Sequence, residues 1–239
     1  MRLPPVRHWI PCLAVIGVLA CAAHSSEPTV PVVDEASVRP GINDPYFLPD
    51  GPDTYAKILE AESREIVQRR RDIVAAMGLR RGMVVADIGA GTGVLTSEMA
   101  EWVGKRGTVF AVDIVPEFLE RIRARVSADG LTNVVVVQGE ERATGLEPLS
   151  LDLAFMCDTY HHVEYPQAYM HSLFQTLRPG ATLVLVDMKR EDGHSSPGVL
   201  RHVRADKATV IAEVEQAGFI FESEIELLIE NYYLRFRRP

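Results

Sequence analysis

The residues of this chain that can do chemistry are acids, glycines and histidines at the ends of apolar runs. The first group is Asp87-Ile88-Gly89-Ala90-Gly91-Thr92-Gly93. Glycines at every second residue permit positive φ and let a ligand lie against bare backbone. Val94 to Val103 then carries helical spacing, so the turn opens a helix whose free N–H groups and positive dipole end suit a polar or anionic ligand. The second group is the acids that follow later apolar runs: Asp113, Glu140, Asp158 beside Cys157, and Asp187. Asp113 lies roughly twenty residues past the turn, the interval at which a carboxylate meets a nucleoside ribose. Each hydroxyl bonded to such a charged acceptor is worth about 1.5–3 kcal/mol. The third group is Asp158-Thr159-Tyr160-His161-His162-Val163-Glu164. Its two imidazoles are candidates for a general base. The pair beside Glu164 also hints at a metal, and the plainer reading is a helix cap and a packed ring. No metal ligand is assigned.

The elements that must position these groups alternate. Val84 to Ile88 is short, apolar and β-branched, as a buried parallel strand is. Further strands are predicted over 108–112, 134–137, 151–156, 182–186, 219–227 and 232–236, with helices over 53–77, 94–103, 116–128, 166–177 and 206–217. Alternating strands and helices predict a doubly wound, mostly parallel seven-stranded sheet with helices on both faces. The last two strands, joined by a short Glu-Asn segment, predict an antiparallel β-hairpin. In open α/β sheets the ligand lies beyond the carboxyl ends of the strands at the switch point, where the acids above fall.

Ahead of this domain the chain changes character. Residues 1–21 have Arg2 and Arg7 before an apolar run, Ile10 to Ala20, of signal-segment length. It is too short for a comfortable membrane span. Val18-Leu19-Ala20-Cys21 resembles the lipobox of bacterial lipoproteins, which implies membrane anchoring through a lipidated Cys21 and a place on the periplasmic side of the cell envelope. Cleavage after Ala22 and a mis-assigned start codon, which would leave the protein cytoplasmic, are the alternatives. Residues 22–52, rich in Pro, Ser and acids, read as a linker whose more apolar end, Asn43 to Pro49, is a candidate to pack against the domain. The globular domain is expected over 53–239, its first helix forming a cap over 53–78. Among 239 residues, three cysteines make no disulfide framework, and a net charge of −8 argues against nucleic acid as a partner.

The glycine spacing is G-x-G-x-G, not the G-x-G-x-x-G of dinucleotide binders, which weakens an NAD-dependent oxidoreductase reading. With Asp87 before the turn and a hairpin at the end, the chain from about Leu79 to Arg238 resembles a class I S-adenosylmethionine (SAM)-dependent methyltransferase. Asp87 to Gly93 is similar to that family's first motif, Val109 to Asp113 to its acidic second strand, Asn133 to Glu140 to its third motif, and Leu177 to Leu183 to its turn into strand five. The resemblance implies SAM as cofactor. Gly89, Gly91 and Gly93 would lie along its methionine part, Asp87 near its amino group, and Asp113 on the ribose with Ile114 beside it. Glu140 would reach the adenine amino group, where the family more often has Asp, and the Glu141 backbone N–H the ring. Cys157 and Asp158 would line the floor where methionine and acceptor meet. The segment after strand four lacks the Asn/Asp-Pro-Pro-Tyr/Phe signature of enzymes that methylate nucleobase or glutamine nitrogens. A small-molecule acceptor is therefore expected, with His161 and His162 on its side and Tyr46 and Tyr55 available as a lid. The alternative is an envelope-anchored protein that keeps the fold and binds without turnover.

Overall fold

A computed structural model describes residues 34–239; the expected signal segment, Cys21 and the first part of the linker lie outside the described residues. In chain order the elements are a 3₁₀ turn (Asp44–Phe47), α1 (Gly51–Leu59), α2 (Glu65–Gln68), α3 (Arg70–Ala76), β1 (Val84–Ile88), α4 (Val94–Val103), β2 (Thr108–Asp113), α5 (Pro116–Ala128), β3 (Val134–Gln138) and β4 (Leu151–Cys157). A second 3₁₀ turn (Tyr160–His162), α6 (Pro166–Thr176), β5 (Leu177–Met188), α7 (Pro197–His202), α8 (Lys207–Gln216), β6 (Ile220–Glu224) and β7 (Asn231–Arg237) complete it. Among the described residues the strands form one seven-stranded sheet in the order β3-β2-β1-β4-β5-β7-β6. The first five are parallel, and β7 runs antiparallel to both β5 and β6. The expected doubly wound sheet and terminal hairpin are therefore present.

The central strands are apolar on both sides because both sides are covered. Val85, Val109, Leu153 and Val184 face Met99, Val103, Ile73 and Val74 of α3 and α4. Ala86, Ile88, Met156 and Leu185 face Met170, Leu173, Val210 and Val214 of α6 and α8. Helix α5 packs Leu119 and Ile122 on Ala111. Each such side chain removed from water contributes about 1.5–3 kcal/mol, so the sheet is a rigid floor for the loops at its carboxyl edge. The strand order reverses between β1 and β4, placing the switch point directly after Ile88.

Three elements depart from the sequence reading. The predicted helix over 53–77 is three short helices, broken at residues 60–64. Arg64 stands at the break with extended backbone (φ −75°, ψ 132°). Its guanidinium donates to the Leu59 carbonyl at 3.0 Å, closing α1, and to the Asp158 carboxylate. A continuous helix would give up this neutralisation of a buried acid, which outweighs helical continuity. Strand β5 starts at Leu177, where a pairing with Leu151 precedes an irregularity, so Pro179-Gly180 lies within it. Helix α7, a single short turn capped by Ser196 Oγ on the Val199 N–H at 3.3 Å, had no periodic signal.

Residues 34–50, within the stretch read as linker, bond to the domain. The Glu35 carboxylate accepts from the N–H groups of Gln167 and Ala168 at 3.1 and 2.9 Å, on the first turn of α6. Ser37 Oγ donates to Glu164 at 2.6 Å, and the Val38 N–H donates to the Glu164 carbonyl at 2.9 Å. Among the described residues no helix is long and apolar enough to cross a membrane.

Candidate functional site

A pocket opens at the switch point, bounded by the turn after β1, the ends of β2 and β4, and the segments at 43–67 and 140–141. The turn is built as its glycines require. Gly89, Gly91 and Gly93 have φ of 68°, 55° and 79°. The Gly89 and Ala90 N–H groups donate to the Val112 carbonyl at 2.8 and 3.0 Å, which ties the turn to the end of β2. A Cβ on Gly89 would stand 2.3 Å from Thr159 Cγ2. Gly89, Ala90 and Gly91 line the pocket; Gly93 does not, and serves instead as the left-handed N-cap of α4, against Ile122.

Asp113 organises two loops. Its Oδ2 accepts from the Gly91 N–H at 2.8 Å and its Oδ1 from the Val115 N–H at 2.9 Å. A carboxylate offers about four acceptor positions, so these two bonds leave capacity for the two hydroxyls of a ribose. Burial raises its pKa to about 6, although the N–H donors favour the charge. Asp87 accepts from Thr96 Oγ1, one turn into α4, at 2.6 Å, and burial likewise raises it to about 6. The ring end of the site is more open: Ile114, Glu140 and Glu141 line it, and both glutamates are exposed.

The floor continues into Cys157 and Asp158. Burial pushes the Cys157 thiol up, and it pushes Asp158 up as well, aided by the charge of Asp187. Asp158 sits at φ 48° and accepts from Arg64 and, at 2.6 Å, from Asn231 Nδ2 of β7. Its strained backbone holds the carboxylate between the two.

On the far side the predicted histidines part company. His162 lines the pocket. Its Nε2 lies 3.3 Å from the Tyr46 hydroxyl and 3.2 Å from Nε2 of His202, and Asn43 Nδ2 donates to its carbonyl at 3.0 Å. Burial, with the neighbouring His161 and His202, lowers its pKa to about 2, so the ring is neutral. His161 is buried behind it, outside the pocket lining, with Nδ1 2.6 Å from Asp187 Oδ1 and its N–H donating to Asp187 Oδ2 at 3.0 Å. Burial opposes its charged form, but the Asp187 carboxylate outweighs that and raises its pKa. Tyr46 lines the pocket and packs on Tyr55 at 4.3 Å between ring centroids. Sequence reasoning missed Arg64, Asn43, Asn231 and His202. None belongs to a local motif; their partners are distant in sequence, and only the charge of Arg64 inside an apolar helical pattern gave a signal.

Residues 79–224 match the model of a family described as "Methyltransferase domain", and the chain belongs to that family. A SAM-dependent methyltransferase from Aquifex aeolicus has the same fold, with a TM-score of 0.72 and 26% identity over 79% of this chain and 98% of that one. A Haemonchus contortus phosphoethanolamine N-methyltransferase 2, solved with S-adenosylhomocysteine (SAH), shares the fold at a TM-score of 0.63 and 18% identity, over 77% of this chain and 45% of that one. Among curated proteins, the ubiquinone/menaquinone biosynthesis C-methyltransferase UbiE of Salmonella arizonae is 28% identical over 51% of this chain and 49% of its own length. A protein-L-isoaspartate O-methyltransferase of Ignicoccus hospitalis is 43% identical over 28% of this chain and 32% of its own. The chain thus spans about half of the first of these two relatives and just under a third of the second. The cofactor is SAM, and the pocket fits it: acids at Asp87, Asp113 and Asp158 suit a ligand with an ammonium, a sulfonium and a ribose diol, while bare backbone at Gly89 and Gly91 admits its methionine part.

Proposed function

We propose that this protein transfers a methyl group from SAM to a small-molecule acceptor, chiefly by aligning the acceptor with the methyl carbon. The observation that carries the reading is the continuity of the pocket. It runs from Asp113 past Cys157 and Asp158 to a wall made by Tyr46, His162 and Asn43. SAM bound there supplies a methyl group already activated by its sulfonium. The protein's task is then orientation, which is worth effective molarities of about 10⁵–10⁸ M when the reacting atoms are held in line. Arg64, the one guanidinium among the pocket-lining residues, supports the reading by offering a partner to a methionine carboxylate while it neutralises Asp158. Tyr46 and the neutral His162 ring present a hydroxyl and an imidazole to the acceptor. His161 positions its neighbour from behind, held by Asp187.

The test is turnover. The full chain is incubated with methyl-deuterated SAM and a small-molecule fraction, and products are followed by mass spectrometry. A labelled product that vanishes in Asp113→Ala is expected. Binding of SAH with no labelled product from any fraction would overturn the transfer reading. We further propose the envelope as its location, through lipidation of Cys21, on the strength of the N-terminal sequence alone. Fractionation with mass analysis of the mature N-terminus tests this, and an unprocessed cytosolic chain would contradict it.

A further inference from the structure

We propose that His161, His162 and His202 form a binding site for one divalent transition-metal ion of the zinc class, on the acceptor side of the pocket. One ring nitrogen from each lies within 4.8 Å of the others. The Nε2 atoms of His162 and His202 are 3.2 Å apart. Zinc–imidazole bonds of about 2.0–2.1 Å at tetrahedral angles set neighbouring nitrogens roughly 3.3 Å apart, so this pair already spans one edge of such a site. His161 is available as a further ligand. His161 is tied through Nδ1 to Asp187 at 2.6 Å, which leaves Nε2 as its ligating atom. A carboxylate behind a ligating imidazole fixes its tautomer and raises its basicity.

Packing alone does not account for the arrangement. The three rings stand with centroids 4.3 to 4.9 Å apart. Imidazole nitrogens that converge in this way, one ring buried and one half-buried, cost free energy unless something satisfies them, and a cation shared by the three does so. The scaffold holds the third ring in place. Arg39 Nη2 donates to the Arg201 carbonyl at 2.7 Å, and Arg190 Nε to the Val203 carbonyl at 3.0 Å, one on each side of His202. Near His162 Nε2 stands the Tyr46 hydroxyl, at 3.3 Å, facing the pocket. An ion at this point would keep a coordination position open toward that side, suited to an acceptor's oxygen, nitrogen or sulfur lone pair. That last role rests on the methyl-transfer reading; the metal binding does not.

The full chain, freed of metal by chelator dialysis, is titrated with Co²⁺ as a visible-absorbance probe and with Zn²⁺ by calorimetry. One equivalent of each is expected to bind, with a tetrahedral-type Co²⁺ band. His202 is exposed, so His202→Ala leaves the fold standing, which SAH binding and the melting temperature verify. In that variant the affinity for both ions is expected to fall at least tenfold. No saturable binding to the wild-type chain, or equal affinity in His202→Ala, would overturn the site. Absence of SAH binding to the wild-type chain, with the metal still held, would instead count against the methyl-transfer reading.

Discussion

Asp113 and Asp87 carry opposite consequences for folding and for binding. Burial raises both from an ordinary 3.8 to about 6. The folded state then holds each proton more tightly than the unfolded chain. These two groups therefore stabilise the fold below about pH 4, and that contribution is lost as pH rises to about 6, by on the order of 3 kcal/mol each. Asp113→Asn is expected to flatten that part of the profile, measured as urea midpoints at about pH 4 and pH 7. Under the proposed assignment the cofactor has the reverse preference, because ribose hydroxyls would donate to the ionised form. SAH affinity should therefore weaken as pH falls through 6, toward tenfold per pH unit when one such group must ionise, and calorimetry across that range checks it. Gly89→Ala makes a third residue-scale test. Its Cβ would meet Thr159 at 2.3 Å from a backbone at φ 68°. A loss of about 1–3 kcal/mol is expected, read as a lower melting temperature, together with weaker SAH binding. That Asp87, Gly89, Gly91 and Asp113 gather at the switch-point pocket was legible in the sequence, because a strand, its turn and its acid are local. Gly93 lies outside the pocket lining and caps α4, a distinction between glycines of one turn that spacing alone does not make.

At the scale of elements, the strands were legible because runs such as Val84 to Ile88 and Val134 to Val137 are β-branched and short. The helices beside the pocket were not. Ile58, Leu59, Ile66, Ile73 and Val74 keep rough helical spacing straight through a break whose cause, the pairing of Arg64 with Asp158, lies 94 residues away. Breaking that pair should show how much the break contributes. Arg64→Leu leaves Asp158 with Asn231 Nδ2 as its remaining neutral donor, and stranding a buried charge costs about 3–5 kcal/mol. A comparable drop in unfolding free energy is expected by urea titration; an unchanged value would mean that the pair is solvent-like. Helix α7, which brings His202 to the site, is too short for periodicity to reveal and left the third imidazole unseen.

For residues 34–239 as a whole, the site is assembled from both ends of the described chain. The 34–50 segment closes the His162 side of the pocket through Glu164, which accepts from Ser37 Oγ at 2.6 Å and from the Gly41 N–H at 3.2 Å. Composition made residues 34–42 look like a tether, since their order comes from partners on α6 and the loop before it, whereas the apolar Asn43 to Pro49 already offered a packing surface. With each bond worth about 0.5–1.5 kcal/mol, Glu164→Ala should speed SAH release roughly tenfold, measurable by stopped-flow displacement. The sheet itself, anchored on both faces, is expected to be unaffected.

The proposed SAM site at the switch point is organised by Asp113. Calorimetric titration of the full chain with SAH, side by side with Asp113→Ala, tests it most directly. One site is expected in the wild-type chain, with affinity at least tenfold weaker in the variant, about 1.4 kcal/mol or more, while the variant still unfolds cooperatively. Absence of binding to the wild-type chain, or equal affinity in a folded Asp113→Ala, would contradict it.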